Sequence, residues 1–216
     1  MAFDVYDDYE QGERVRKWLV DNWISIVLGL GIGLGLVFGW QKWQSHKQGY
    51  LIQAATQYDL MSQALDKNDV TEAKVATGVL TQEFPDTVYA VMAKGALAAR
   101  AARQGDYPSA EVDLSWAGTH ANMPSLKDLL QVRLARVQLA AGQAKQALSS
   151  LKKVNHDDYQ AQMANLRGDA EAQLGNQGKA RQAYKEALLL LPAGAANRNL
   201  LQMKLENLTP NGTKSR

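Results

Sequence analysis

The chain carries three histidines, His46, His120 and His156, and no cysteine. These are the residue types from which a zinc centre would be built, by several ligands converging on one point. Here the histidines are widely separated, and none pairs with a carboxylate at a helical spacing that recurs as a motif. The sequence offers neither a metal centre nor thiol chemistry, and no cofactor is expected. A Ser-His-Asp arrangement is defined in space rather than by chain order, so sequence order alone leaves it open. The G-x-S-x-G elbow of a hydrolase nucleophile is missing. The tripeptide from Arg167 to Asp169 reads as an adhesion motif, but it falls inside a helical pattern, and the structural reading is preferred. The stretch "ISIVLGLGIGLGLVFGW", Ile24 to Trp40, could in principle wrap a phosphate. A dinucleotide fingerprint needs G-x-G-x-x-G, and Leu34, Leu36 and Phe38 stand where the third glycine would be. No Gly-Lys-Ser/Thr tripeptide exists for a Walker A loop.

The glycine-rich stretch fits lipid instead. No charged residue lies between Asp21 and Lys42, a run of about 20 residues that crosses a hydrocarbon core as a helix. Trp18 and Trp23 flank one end, and Trp40 and Trp43 the other, where amphipathic rings suit the headgroup region. A cleaved signal peptide would want a basic start, a shorter apolar core and a small-residue cleavage site. This start is acidic (Asp4, Asp7, Asp8, Glu10), so an uncleaved anchor is the preferred reading. Arg14, Arg16 and Lys17 precede the span and Lys42 and Lys47 follow it, a modest bias toward a cytoplasmic N-terminus. Gly29, Gly31, Gly33, Gly35 and Gly39 include several pairs four apart, the spacing at which small residues let membrane helices approach closely. Two readings stay open: a helix–helix contact surface, and the ordinary frequency of glycine in membrane helices.

The rest is a domain of about 165 residues, long enough for a sizeable core. The net charge of +2 is spread out. No basic stripe with interleaved aromatics suggests nucleic acid. Four segments share a pattern, starting at Asn68, Gly105, Gly142 and Gly175, residues able to take the left-handed conformation that ends a helix. Each has alanine five residues later: Ala73, Ala110, Ala147 and Ala180. These alanines step by 37, 37 and 33 residues (110−73, 147−110, 180−147), as paired-helix repeats do. Leu114 and Ala117, Leu151 and Val154, and Tyr184 and Ala187 continue the stripe; the first copy is weaker, with Thr77 and Leu80. Pro85 and Pro192 stop the second helices of the first and last copies.

The last copy, "NLRGDAEAQLGNQGKARQAYKEALLLLP", resembles a tetratricopeptide repeat, with Gly168 and Ala180 as small contact residues. Ala98, Ala135 and Met61 replace that glycine in the other copies. An acidic tail, a glycine-rich span closing in "GWQKWQSHKQ", the stretch "NDVTEAK" and four such repeats together resemble the YfgM family over nearly the full length. These are ancillary subunits of the bacterial SecYEG translocon. The resemblance implies a single-pass inner-membrane protein with a periplasmic repeat domain. It also implies association with SecYEG and the chaperone PpiD, help to secreted client polypeptides, and restraint of an envelope stress response regulator.

The expected fold is all-α: an N-terminal transmembrane helix, then a right-handed superhelix of about four tetratricopeptide-like hairpins and a C-terminal capping helix. The expected layout is a cytoplasmic tail over 1–21, the membrane helix over 22–41, a linker over 42–50, the periplasmic repeat domain over 51–208 and a disordered tail over 209–216. First helices are expected to start near Leu51, Ala90, Ser125 and Tyr159. Tyr58, Arg136, Gln162, Asn165 and Asp169 are candidates for a concave partner-binding groove, against the alternative of a solvated face. The segment Asn197–Leu208 either caps the last repeat or occupies the groove or a partner's surface. The functional reading is a membrane-tethered adaptor without enzymatic activity. The competing readings are a membrane-anchored enzyme with scattered residues and a repeat scaffold of another envelope complex.

Overall fold

The computed structural model describes residues 5–155 and 157–208, with side chains from residue 12 onward. His156, the first four residues and the expected tail 209–216 lie outside that range. The described residues form nine α-helices and one short 3-10 turn, with no strand among them. They divide into two compact units, Met1–Ile52 and Gln53–Arg216.

Helix α1 runs from Val5 to Asp66. The stretch 42–50, expected as a linker, is helical throughout, because nothing in it stops a helix. It contains no proline, and the lone Gly49 costs only about 1 kcal/mol relative to alanine. Within the first unit every side chain from Trp23 to Trp40 is exposed. The helix is long and apolar enough to cross a membrane. An apolar surface exposed on all sides of a helix is matched to lipid rather than water.

The second unit is a series of hairpins. The C-terminal part of α1 is followed by α2 (Val70–Glu83), α3 (Val88–Arg103) by α4 (Tyr107–His120), α5 (Pro124–Ala140) by α6 (Ala144–Leu151), and α7 (Gln160–Gln173) by α8 (Gln177–Leu190). Helix α9 (Arg198–Asn207) closes the series. The starts expected at Ala90, Ser125 and Tyr159 fall within two residues of those observed. Leu51, by contrast, lies inside α1, since no break precedes it.

All four hairpin corners have one construction. Asn68, Gly105, Gly142 and Gly175 have φ of 60°, 79°, 77° and 76°. At each, the next residue's N–H reaches back to the preceding helix: Asp69 to Ala64 O at 2.8 Å, Asp106 to Ala101 O at 2.9 Å, Gln143 to Gln138 O at 2.8 Å and Asn176 to Glu171 O at 2.8 Å. The corner residue itself bonds the carbonyl three before it. This double closure satisfies carbonyls that a helix end would otherwise leave unpaired. Asp69 and Asp106 then cap the second helices, accepting from Glu72 N at 3.0 Å and Ser109 N at 3.2 Å.

Ala73, Ala110, Ala147 and Ala180 are all wholly buried. Facing positions in the hairpins are occupied in matched sizes. Ala98 packs in one cluster with Leu114, and Ala135 in another with Leu151. In the last hairpin Gly168 leaves room for the Tyr184 ring; a Cβ there would lie 2.4 Å from Tyr184 Cδ1 and Cε1. Met61 and Thr77 hold the corresponding positions in the first hairpin, and both are buried. Small faces large each time, so the helix pair closes to native density.

Candidate functional site

A cavity of about 460 Å³ runs along the first helices of the first three hairpins. Its floor is the α3 stretch "MAKGALAARAAR", from which Met92, Gly95, Ala96, Ala99 and Ala102 line it. The glycine and three alanines at these positions are what leave the space open. Leu126, Leu130, Arg133, Arg136 and Val137 of α5 form one wall, and Tyr58 of α1 stands on the other side. The Tyr58 ring lies 5.9 Å from that of Tyr89, within the range at which tilted aromatic pairs attract. Arg133 and Arg136 are exposed and sit three apart on one face of α5. Neither makes a hydrogen bond or ion pair among the described residues, and none of the lining residues is acidic.

Two of the five expected groove residues, Tyr58 and Arg136, thus meet in one cavity. Gln162 is exposed on α7, away from it. Asn165 and Asp169 lie outside that cavity and are bonded within the fold. Lys204 of α9 donates to Asn165 Oδ1 at 3.1 Å and to Asp169 Oδ1 and Oδ2 at 2.6 and 2.8 Å. The Tyr184 hydroxyl donates to Asp169 Oδ1 at 2.7 Å. The partner that claims them lies far along the chain, where no local pattern points to it. Arg167 pairs with Glu186, Gly168 packs on Tyr184 and Asp169 is held by Lys204, so each residue of the adhesion-like tripeptide is engaged internally.

Of the two readings for Asn197–Leu208, the structure supports the cap. Leu201, Leu205 and Leu208 join the cluster of Ala180, Tyr184 and Ala187. Arg198 donates to Leu188 O at 3.0 Å and Leu191 O at 3.1 Å, satisfying carbonyls at the end of α8. Met92, Gly95, Ala99 and Arg133 were not singled out from sequence. The signal was an α3 face that after Met92 carries only glycine and alanine, opposite two arginines at helical spacing.

A family model described as a tetratricopeptide repeat-like domain matches residues 16–210. Curated proteins named "Ancillary SecYEG translocon subunit" match over nearly the whole chain. The protein from Aggregatibacter actinomycetemcomitans is 30% identical over 96% of this chain and all of its own length. That from Haemophilus influenzae is 28% identical with the same coverage. That from Escherichia coli K12 is 26% identical over 95% of this chain and 99% of its own length. This chain belongs to the ancillary SecYEG translocon subunit family. The matched residues begin ahead of the glycine-rich span and end beyond α9. Family membership therefore embraces apolar helix, hairpins and cap together, not a repeat domain with an unrelated leader.

In this member of the family the span's glycines are open. A Cβ added at Gly29, Gly31, Gly33, Gly35 or Gly39 would meet nothing within 4 Å. Trp18, Trp23, Trp40 and Trp43 are likewise exposed, with the Trp40 and Trp43 rings 5.2 Å apart. His120 stacks on Trp116 with centroids 3.9 Å apart. Among the described residues no group of three potential metal ligands lies together.

The cap carries one pH-dependent element. Burial first, then the hydrogen bond to Asp169 and that residue's charge, push the Tyr184 phenol well above the ordinary tyrosine range. The folded state holds this proton more tightly than the unfolded chain does. Its contribution to stability is therefore complete below about pH 10 and is lost progressively above it. Tyr184→Phe should show a shallower alkaline fall in urea-unfolding free energy than the parent. Parallel falls would mean the phenol ionises freely in the fold.

Proposed function

We propose that this chain is a non-enzymatic adaptor, tethered in the bacterial inner membrane by one helix, that works beside the SecYEG translocon. The observation that carries the reading is the union, within one family match, of an apolar helix exposed on all sides and a hairpin domain with an open, uncompensated groove. The relatives' name supplies the translocon. The helix docks laterally through its glycine faces, and the hairpin domain is thereby held near emerging secreted chains at millimolar effective concentration. The positive charges at Arg14, Arg16 and Lys17 support a cytoplasmic N-terminus and a periplasmic hairpin domain. PpiD is the proposed chaperone partner, secreted polypeptides the proposed clients, and restraint of an envelope stress regulator a secondary role.

Replacing Gly31, Gly35 and Gly39 together with leucine tests the docking step. Insertion should persist, while recovery of SecYEG in mild detergent should fall about tenfold, the scale of a membrane helix contact. Undiminished recovery would place the contact in the hairpins. Photo-crosslinking from span positions and from Tyr58 or Arg136, in living membranes, would then identify the neighbours of each.

A further inference from the structure

We propose that the groove across α1, α3 and α5 takes a peptide segment that combines apolar side chains with a carboxylate. The apolar side chains lie over Met92, Gly95, Ala96 and Ala99, and the carboxylate is held by Arg133 and Arg136. This rests on the reading of the hairpin domain as a binding module and adds the chemistry of what it binds.

Shape and charge point the same way. Beyond Met92 the floor is glycine and alanine, Gly95, Ala96, Ala99 and Ala102, so the groove admits side chains rather than a flat surface. Met92 is 45% exposed within it, offering a flexible thioether to apolar partners of varied form. The two guanidinium groups rise from the same wall, one helical turn apart, and no acidic residue lines the cavity to neutralise them. The lysine on the α3 floor stretch is already paired, Lys94 with Asp113 at 2.7 Å. Guanidinium forks bind carboxylates bidentately and more strongly than neutral acceptors. Other occupants fit less well. The chain's own last eight residues carry Lys214 and Arg216 and no acidic side chain, and α9 is committed to the cap. A nucleic acid would need a longer run of cations with stacking aromatics.

The test uses the purified full-length chain in lipid nanodiscs. The probe is a short fluorescein-labelled peptide of leucine, alanine and glutamate, compared with the same peptide bearing glutamine for glutamate. Fluorescence anisotropy should give about tenfold tighter binding for the glutamate peptide, the scale of a charge-assisted hydrogen bond. The double variant Arg133→Gln, Arg136→Gln should bind both peptides alike. Ala99→Phe, at an exposed floor position, should weaken both by filling the groove, with circular dichroism confirming that each variant keeps its helices. Equal binding of the two peptides by the parent would overturn the proposal. So would an undiminished preference in the double arginine variant, or unchanged binding by Ala99→Phe. None of these readouts involves the translocon, so a failure to recover SecYEG would leave them standing, and their failure would leave the docking of the span untouched.

Discussion

Gly168→Ala is expected to lower the stability of the hairpin domain by about 1–3 kcal/mol, the usual consequence of overfilling a packed site. The new Cβ would sit 2.4 Å from two carbons of the Tyr184 ring. That ring cannot step aside, because it is 3% exposed and its hydroxyl is bonded to Asp169 at 2.7 Å. The neighbouring hairpins show the remedy, since they pair alanine with leucine at these positions. Adding Tyr184→Leu to Gly168→Ala should therefore return a large part of the loss. Tyr184→Leu alone should destabilise, through a cavity and a weakened Asp169–Lys204 cluster. Thermal unfolding of the four chains, followed by circular dichroism, closes the cycle. If the two effects simply added, the matched sizes would be incidental.

The second large effect concerns the span. Leu30→Arg together with Leu34→Arg places two cations on one face near the middle of the apolar run. Each costs roughly 2.5–3.5 kcal/mol at the centre of a membrane helix. The parent should stay in the membrane pellet after alkaline carbonate extraction, while the double variant should move largely to the supernatant. Leu30→Ala with Leu34→Ala should behave as the parent does. A double-arginine chain that pelleted like the parent would show that something other than lipid covers these leucines.

Much of the architecture was legible because its determinants are local. A left-handed corner needs glycine or asparagine, so Asn68, Gly105, Gly142 and Gly175 announce the hairpins. Close helix contact needs alanine, so Ala73 to Ala180 announce the period. A charge-free apolar run marks a span by composition alone. What escaped was either negative or distant. The stretch from Lys42 to Tyr50 changes composition without containing a proline, and α1 runs on through it for more than two turns. Asn165 and Asp169 looked available because Lys204, which claims them, belongs to a helix outside the repeat pattern. The groove floor escaped because, Met92 apart, it consists of glycine and alanine. An absence on α3 becomes a cavity only once α1 and α5 stand on either side of it.

The unequal pairs at the hairpin centres also act as a lock on assembly. Repeats that all used the same two residues could exchange partners during folding, or between two molecules, at little penalty. Here a helix carrying Gly168 would leave a void against Leu151, and one carrying Met61 would collide with Tyr184. Only the two middle hairpins, with alanine against leucine, could trade places quietly. The ends of the array are thus keyed to their own neighbours, and mistaken exchange is confined to its centre.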